Sequence, residues 1–191
     1  MTSALRRMGH DAYSCDLLPT SGRHPEWHIR ADALEVCKIG WDMVIAFPPC
    51  THLAVSGATW FEEKQRDGRQ QMGIGFFLAF TALDHIPKVA IENPVGIMSR
   101  LYRKPDQIVH PYMFGDPVQK KTCLWLKGLP LLVPTKIVEP ETVQYESNGK
   151  RDSAWHMDTF NLPPALRSRE RSRTFPGIAR AMAAQWGRQE A

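Results

Sequence analysis

Two short apolar segments, each ended by proline, flank a long helical segment, and this pattern limits the possible folds more than any other feature. The segment 41–47 (WDMVIAF) is the clearest buried strand, and it ends at Pro48 because proline lacks the N–H that a sheet ladder needs. The segment 88–94 (KVAIENP) is a second such strand, and 61–86 between them has helical spacing in its second half. A strand, a helix and a strand in this order predict an α/β fold with a mostly parallel sheet.

Length and composition predict one ordered globular domain. The chain has 191 residues, is 43% hydrophobic and carries a formal net charge of +4, a balance far from that of disordered chains. Its apolar runs are shorter than the roughly 18 residues that a membrane helix needs, so no membrane partner is predicted. The N-terminal MTSALRRMGH lacks the apolar region of a secretory signal, which predicts a cytoplasmic, reducing location.

The cysteines are predicted to be thiols. Cys15, Cys37, Cys50 and Cys123 are widely spaced and include no C-x-x-C pair. That spacing argues against a zinc site built on cysteine, and no metal is predicted.

Shorter elements are predicted on the N-terminal side of this pattern. The chain opens in a helix at 4–8, and 12–18 (AYSCDLL) is predicted to be a buried strand with Asp16 at its carboxyl end. A short helix at 32–38 follows, with Asp32 at or near its start.

Beyond residue 106 the pattern changes, and a three-part division is predicted. Short extended segments are expected at 107–116, 120–128 and 130–135, joined by glycine and proline turns. A helix at 176–187 ends the chain, with Pro176 in its first turn. The predicted parts are a core at 1–133, a short, basic and irregular segment at 134–170, and a C-terminal segment at 171–191 that returns to the core.

Polar residues that follow buried strands are the first candidates for chemistry, because ligands of open α/β sheets bind at the carboxyl ends of the strands. Two prolines place the thiol of Cys50 at a defined point after the strand. A lone cysteine is more often a small buried hydrophobic residue. Glu92 and Asn93, at the end of the neighbouring strand, make a reactive role for Cys50 more plausible than a purely structural one. A thiolate can add to an electron-poor ring while a nearby carboxyl group protonates or hydrogen-bonds a ring nitrogen.

Four segments in this order resemble the cytosine-5 DNA methyltransferase family, and its small phage or prophage branch in particular. FPPC at 47–50 resembles the proline-cysteine nucleophile loop, and IENP at 91–94 resembles the Glu-Asn-Val motif. FGDPVQKKTCLWL at 114–126 is similar to a Gln-x-Arg-x-Arg strand. The segment 171–186 weakly resembles the closing loop and helix. The resemblance implies a Rossmann-like, S-adenosylmethionine-dependent methyltransferase core that lacks its first strand, with a small irregular lobe.

The resemblance also implies roles for individual residues. Cys50 would attack carbon 6 of a cytosine as a thiolate, Glu92 would stabilise the protonated ring nitrogen, and Asn93 would position the nucleophile loop. Lys121, which stands at a position of the Gln-x-Arg-x-Arg motif, would orient the loop and the base.

The cofactor implied by the resemblance is S-adenosylmethionine. Asp16 and Asp32 stand where the family binds the ribose and adenine of this cofactor, and Pro48 is placed in the same pocket. The methyl group would be transferred to carbon 5 of cytosine in DNA.

Most of the net charge lies in one stretch, 150–173, with six Lys and Arg against three Asp and Glu. Such a stretch is typical of polyanion binding, although it is also typical of a solvated helix or loop. Trp155, His156 and Phe160 are interleaved with it and could stack on bases or serve as packing anchors. The predicted nucleic-acid-binding residues are Lys120, Lys150, Arg151, Arg169, Arg171 and Arg173.

The chain departs from the family pattern in two respects. The glycine-rich Phe-x-Gly-x-Gly loop that precedes the first helix is absent, which leaves the expected cofactor pocket open. The segment between 127 and 171 is too short for a separate target-recognition domain. Two alternatives therefore stay open: a nucleic-acid-binding relic without catalysis, and a pyrimidine nucleotide-modifying enzyme with a folate cofactor.

Overall fold

A computed structural model of the chain describes residues 1–145, 149 and 151–188. The chain divides into two compact units. The central unit consists of 12–108 and 122–131, and the terminal unit of 1–11, 109–121 and the described part of 132–191. The predicted division into 1–133, 134–170 and 171–191 rests on expected roles and stays a prediction.

Short strands and helices alternate along the chain. The strands are β1 (Ser14–Asp16), β2 (His28–Arg30), β3 (Met43–Ala46), β4 (Lys88–Pro94), β5 (Gln107–Val109), β6 (Thr122–Lys127), β7 (Thr142–Gln144) and β8 (Arg151–Ser153). The helices are α1 (Thr2–Arg6), α2 (Ala33–Val36), α3 (Phe61–Arg66), α4 (Arg69–Thr81), α5 (Met98–Leu101), α6 (Ala154–Phe160), α7 (Pro164–Ser172) and α8 (Pro176–Trp186). Among the described residues, no helix is both long enough and apolar enough to cross a bilayer.

The α/β class is confirmed, but the larger sheet is mixed. Its strand order is β3-β4-β6-β5. The crossover through α3 and α4 makes β3 and β4 parallel, with Ala46 opposite Ile91. Strand β6 runs antiparallel to β4, with Leu124 opposite Glu92. The expectation of a mostly parallel sheet is therefore not confirmed. The apolar pattern of 122–127 suits either direction, and the path of the preceding connection decides between them.

A second, two-stranded sheet belongs to the same unit. Strands β1 and β2 are parallel, with Asp16 opposite Arg30. The position of Asp16 at the carboxyl end of its strand agrees with the sequence prediction. Sequence patterning missed β2, because its segment HIR contains a single apolar residue between two polar ones. The prediction for α2 is confirmed, since Asp32 caps it through Oδ1, which accepts the Leu34 N–H at 2.8 Å.

The core of the central unit lies between the four-stranded sheet and α4. Phe77 of α4 is fully buried and meets the ring of Trp125 edge to face, with centroids 5.0 Å apart. Burial is expected for Cys15, Cys37 and Cys123; it is confirmed for Cys37 and Cys123, which belong to this core, whereas Cys15 is only half-buried. Truncating a buried aromatic side chain such as Phe77 costs about 3–5 kcal/mol.

The terminal unit is built around α8, where the helix predicted at 176–187 is confirmed. Ile178, Met182 and Trp186 form its buried face. The expectation that 134–170 is irregular is wrong in part, because this range contains the antiparallel pair β7–β8 and α6. The extended segment expected at 130–135 contains no strand, although all of its residues are described.

Gly128 and Gly75 provide a matched test of this fold. Gly128 follows β6 with a φ of +62°, and a Cβ there would overlap the carbonyl oxygen of Pro87, whereas a Cβ on Gly75 of α4 would meet open space. Gly128→Ala should therefore lower the free energy of unfolding by about 2 kcal/mol or more. Gly75→Ala should raise it by about 0.5–1 kcal/mol. Urea denaturation measures both, and equal effects would contradict the described turn.

Candidate active site

The carboxyl ends of β3 and β4 lie at the same edge of the sheet, because the two strands are parallel. Cys50 follows the end of β3 by four residues and is half-buried, while Glu92 and Asn93 belong to the last three residues of β4. The structure thus places Cys50, Glu92 and Asn93 on neighbouring strand ends of the central unit, the arrangement expected for a strand-end site.

Asn93 joins the two strand ends directly. Its side chain is buried, at 2% exposure, and Nδ2 donates to the Pro48 carbonyl at 2.7 Å and to the Glu92 carbonyl at 3.1 Å. Pro48 is itself buried and has no N–H. The amide of Asn93 therefore fixes the turn that leads into Cys50.

The turn after Cys50 is held by backbone hydrogen bonds. The N–H groups of Leu53 and Ala54 both donate to the Cys50 carbonyl at 2.9 Å. Ile97, just beyond β4, donates to the Leu53 carbonyl at 2.9 Å. Gly96 is required here, since a Cβ at that position would overlap the same carbonyl.

Lys64 holds the start of the segment 51–64 in place by bonding back to it. Sequence reasoning did not identify this residue. Its ammonium donates to the Thr51 carbonyl at 2.8 Å, and the residue is only 7% exposed. Gln70, at the start of α4, donates to the His52 carbonyl at 3.3 Å in the same way. Lys64 and Gln70 lie in the first half of 61–86, to which sequence reasoning assigned no function, and no local pattern couples them to residues more than ten positions away.

His52 lies two residues after Cys50 in a positive environment. Its Nδ1 is buried and has no hydrogen-bond partner among the described residues. Loss of solvation, followed by the positive charges of Lys64 and Arg69, lowers the pKa of His52 below its usual value. The folded chain therefore favours the neutral imidazole at His52.

Asp16 and Asp32 belong to the smaller sheet. Asp16 ends β1, is exposed, and its Oδ1 accepts the Leu18 N–H at 2.9 Å. Asp32 follows β2, is also exposed, and caps α2 through Oδ1. Because β1 and β2 are parallel, both carboxylates lie toward the same edge of this sheet.

Lys121 is assigned to the terminal unit and is exposed. It immediately precedes β6, whose first residue, Thr122, pairs with Pro94. Its predicted role toward the nucleophile loop stays a prediction.

The predicted nucleic-acid-binding residues separate into two groups. Lys120 and Arg171 are used within the terminal unit: the Lys120 ammonium donates to the Arg171 carbonyl at 3.1 Å, and Arg171 Nε donates to Thr159 Oγ1 at 3.1 Å. Burial, together with nearby Arg167, lowers the pKa of Arg171. The second group, Arg151, Arg169 and Arg173, is exposed. Lys150 lies outside the described residues.

The family and curated-protein comparisons identify no relative of this chain. No protein-family model matches the chain, and no curated protein matches it significantly. The site is therefore argued from its own residues.

Replacing Asn93 tests the link between the two strand ends. In Asn93→Asp an ionised carboxylate would face the Pro48 carbonyl and could not donate to it, which should lower the free energy of unfolding by roughly 1–3 kcal/mol at pH 7. Asn161→Asp, at an exposed position, serves as the matched control and should change it by less than about 0.5 kcal/mol. Chemical denaturation of both variants measures the difference, and equal stabilities would contradict the hydrogen bond.

The environment of His52 predicts a pH dependence. A histidine whose pKa is lowered by folding binds fewer protons in the folded chain than in the unfolded chain as pH falls below about 6.5. Stability from this group is therefore present above pH 6.5 and is lost as pH falls below it. His52→Gln should lose less stability than the wild type between pH 6.5 and 5, as measured by urea denaturation at several pH values. An unchanged slope would show that the surroundings of His52 do not influence its titration.

Proposed function

We propose that the chain is a DNA (cytosine-5) methyltransferase-like protein that acts through a covalent adduct with Cys50. The observation that supports this proposal most is the bond from Asn93 to the Pro48 carbonyl, which ties the cysteine turn to the strand end that carries Glu92. A cysteine that can react as thiolate and a carboxyl group that can give up a proton, on neighbouring strand ends, are the pair needed for nucleophilic addition with proton transfer to a ring.

The residues of the central unit would act as follows. The Cys50 thiolate bonds to carbon 6 of cytosine, and the electron pair of the carbon 5–carbon 6 double bond makes carbon 5 nucleophilic. Glu92 donates a proton or hydrogen bond to the ring nitrogen as negative charge develops there. Once carbon 5 carries the methyl group, release is an elimination: a water molecule accepts the hydrogen of carbon 5 as a proton, and the ring nitrogen returns its proton to Glu92. The sulfur–carbon 6 bond breaks with its electron pair on the Cys50 sulfur, and the double bond re-forms.

The base must leave the stacked duplex for this chemistry. Carbon 6 is inaccessible inside a duplex, and extruding the base costs a few kcal/mol unless the strand is already single. The turns held by Asn93 and Lys64 offer a fixed backbone at which such a base could be received.

S-adenosylmethionine supplies the methyl group when it is bound. Carboxylates suit the hydroxyl groups of a ribose and the amino group of an adenine, so Asp16 and Asp32 fit the nucleoside part of this cofactor. The buried ring of Pro48 would contribute an apolar contact, since its carbonyl already accepts from Asn93.

A second candidate, a nucleic-acid-binding relic without catalysis, is favoured by the sheet topology. Within the described residues β3 lies at the edge of its sheet, and the two carboxylates belong to a different sheet from Cys50. No glycine-rich turn follows β1, β2, β3 or β4 in the part of the chain that the structure describes.

Methyl transfer tests the proposal. The chain is incubated with S-adenosylmethionine labelled in the methyl group and with cytosine-containing DNA, and the label in DNA is counted. We expect transfer by the wild type and loss to background in Cys50→Ser, because a serine hydroxyl is a far weaker nucleophile at neutral pH. Cys15→Ser should retain transfer, since its hydroxyl can still donate to the Ala31 carbonyl that Cys15 Sγ contacts at 3.3 Å.

The other outcomes separate the alternatives. Transfer that persists in Cys50→Ser would contradict the adduct, and labelling of free deoxycytidine monophosphate in place of DNA would indicate a nucleotide-modifying enzyme. Absence of S-adenosylmethionine binding by calorimetry, with DNA binding retained, would favour the relic.

A further inference from the structure

The turn between α6 and α7 in the terminal unit presents an aromatic side chain to solvent. Phe160, the last residue of α6, is 56% exposed, which is unusual for phenylalanine. The guanidinium carbon of Arg167 lies 5.1 Å from the centroid of its ring. Arg167 also donates to the Leu162 carbonyl through Nη2 at 3.0 Å and Nε at 3.3 Å. The cation is thus held beside the ring instead of sampling solvent freely.

Phe160 differs in this respect from the other two aromatic residues of the basic stretch. Trp155 meets the ring of Phe175 edge to face at 5.5 Å, with the Lys120 ammonium 5.6 Å from the Trp155 centroid. His156 bonds through Nδ1 to Asp152 Oδ2 at 2.7 Å. Trp155 and His156 are therefore occupied by contacts within the unit, whereas Phe160 offers more than half of its surface.

The stretch that contains Phe160 carries a positive charge that suits a polyanion. The range 151–173 contains five arginines against three carboxylates. Of these arginines, Arg171 is hydrogen-bonded within the unit, whereas Arg167 lies against the Phe160 ring. The side chains of α7 are all exposed or half-buried, so this helix contributes to the surface and little to the core. Arg169 is exposed near the middle of α7. A partner that combines negative charge with flat apolar faces suits both the exposed ring of Phe160 and the arginines near it in the chain.

We propose that Phe160, held by Arg167, is a stacking platform for an unpaired base of single-stranded nucleic acid. A base in a duplex is already stacked on both faces, whereas an unpaired base can use the exposed ring, and the neighbouring guanidinium adds a cation–π contribution. Such stacking tolerates any base, so the platform selects single strands without selecting a sequence. The inference deepens the proposed function because it names the form of nucleic acid, but its test requires no methyl transfer.

The test is a binding titration with the full chain and a fluorescein-labelled dT12 oligonucleotide, followed by anisotropy at fixed salt. Phe160→Ala should raise the Kd for dT12 about 10-fold or more. Phe160→Trp should restore or improve binding, because it enlarges the stacking face. Leu166→Ala removes another apolar side chain of α7, 50% exposed, and should change the Kd by less than about 2-fold. Thermal unfolding of each variant verifies that the fold is retained.

A 12-base-pair duplex separates stacking from charge. Binding to the duplex should be weaker than binding to dT12 in the wild type and nearly unchanged in Phe160→Ala. An unchanged Kd for dT12 in Phe160→Ala, or the same loss for dT12 and duplex, would overturn the platform. Tighter binding of the wild type to the duplex would overturn the preference for single strands.

The failures of the two proposals are distinguishable. If Phe160→Ala weakens dT12 binding while the wild type transfers no methyl group, the platform stands and the proposed enzyme does not. If methyl transfer depends on Cys50 while the Kd for dT12 is unchanged in Phe160→Ala, the proposed enzyme stands and the platform does not.

Discussion

Strand β4 organises the central unit, because it pairs with β3 on one side and with β6 on the other. Its first half is buried between core side chains, and its last residues contain both the carboxylate and the amide of the candidate site. The Asn93 amide extends the pairing beyond the end of the β3 ladder by bonding to Pro48. The geometry of Cys50 is thus coupled to a largely buried strand of the unit. Pro48 and Pro49 have no backbone N–H groups, so the Asn93 amide supplies this turn with a buried hydrogen-bond donor.

The direction of β6 has little effect on this arrangement. A strand-end site needs only two neighbouring strands that run the same way, and β3 and β4 meet that condition through the crossover formed by α3 and α4. The antiparallel β6 instead covers the other edge of β4 and contributes Cys123 and Trp125 to the core. A mixed sheet and a strand-end site are therefore compatible in this chain.

Basic residues in the terminal unit have two different tasks. Lys120 donates to the Arg171 carbonyl and lies against the ring of Phe175, and Arg171 donates to the Thr159 hydroxyl. Removing either side chain would therefore first lower the stability of the unit. Arg169 is exposed, and Arg167 holds its charge beside the ring of Phe160. Net charge summed over the stretch does not reveal this difference, because a cation that is hydrogen-bonded internally counts the same as one that faces solvent.

The sequence by itself determined the elements with strong local signals. Apolar runs ended by proline located β3 and β4, Asp32 marked the start of α2, and Pro176 marked the start of α8. These signals work because proline, capping residues and apolar periodicity act within a few residues of where they stand. The candidate pair of Cys50 and Glu92 followed from the same strand ends.

Only the tertiary structure decided what depends on contacts between distant segments. The bond from Asn93 to Pro48 spans 45 residues and that from Lys120 to Arg171 spans 51, so no local pattern encodes either one. The same reason explains β2, whose short and mostly polar segment becomes a strand by pairing with β1. It also explains the exposure of Phe160, because the local sequence around a phenylalanine does not show whether its ring packs inside the unit or faces solvent.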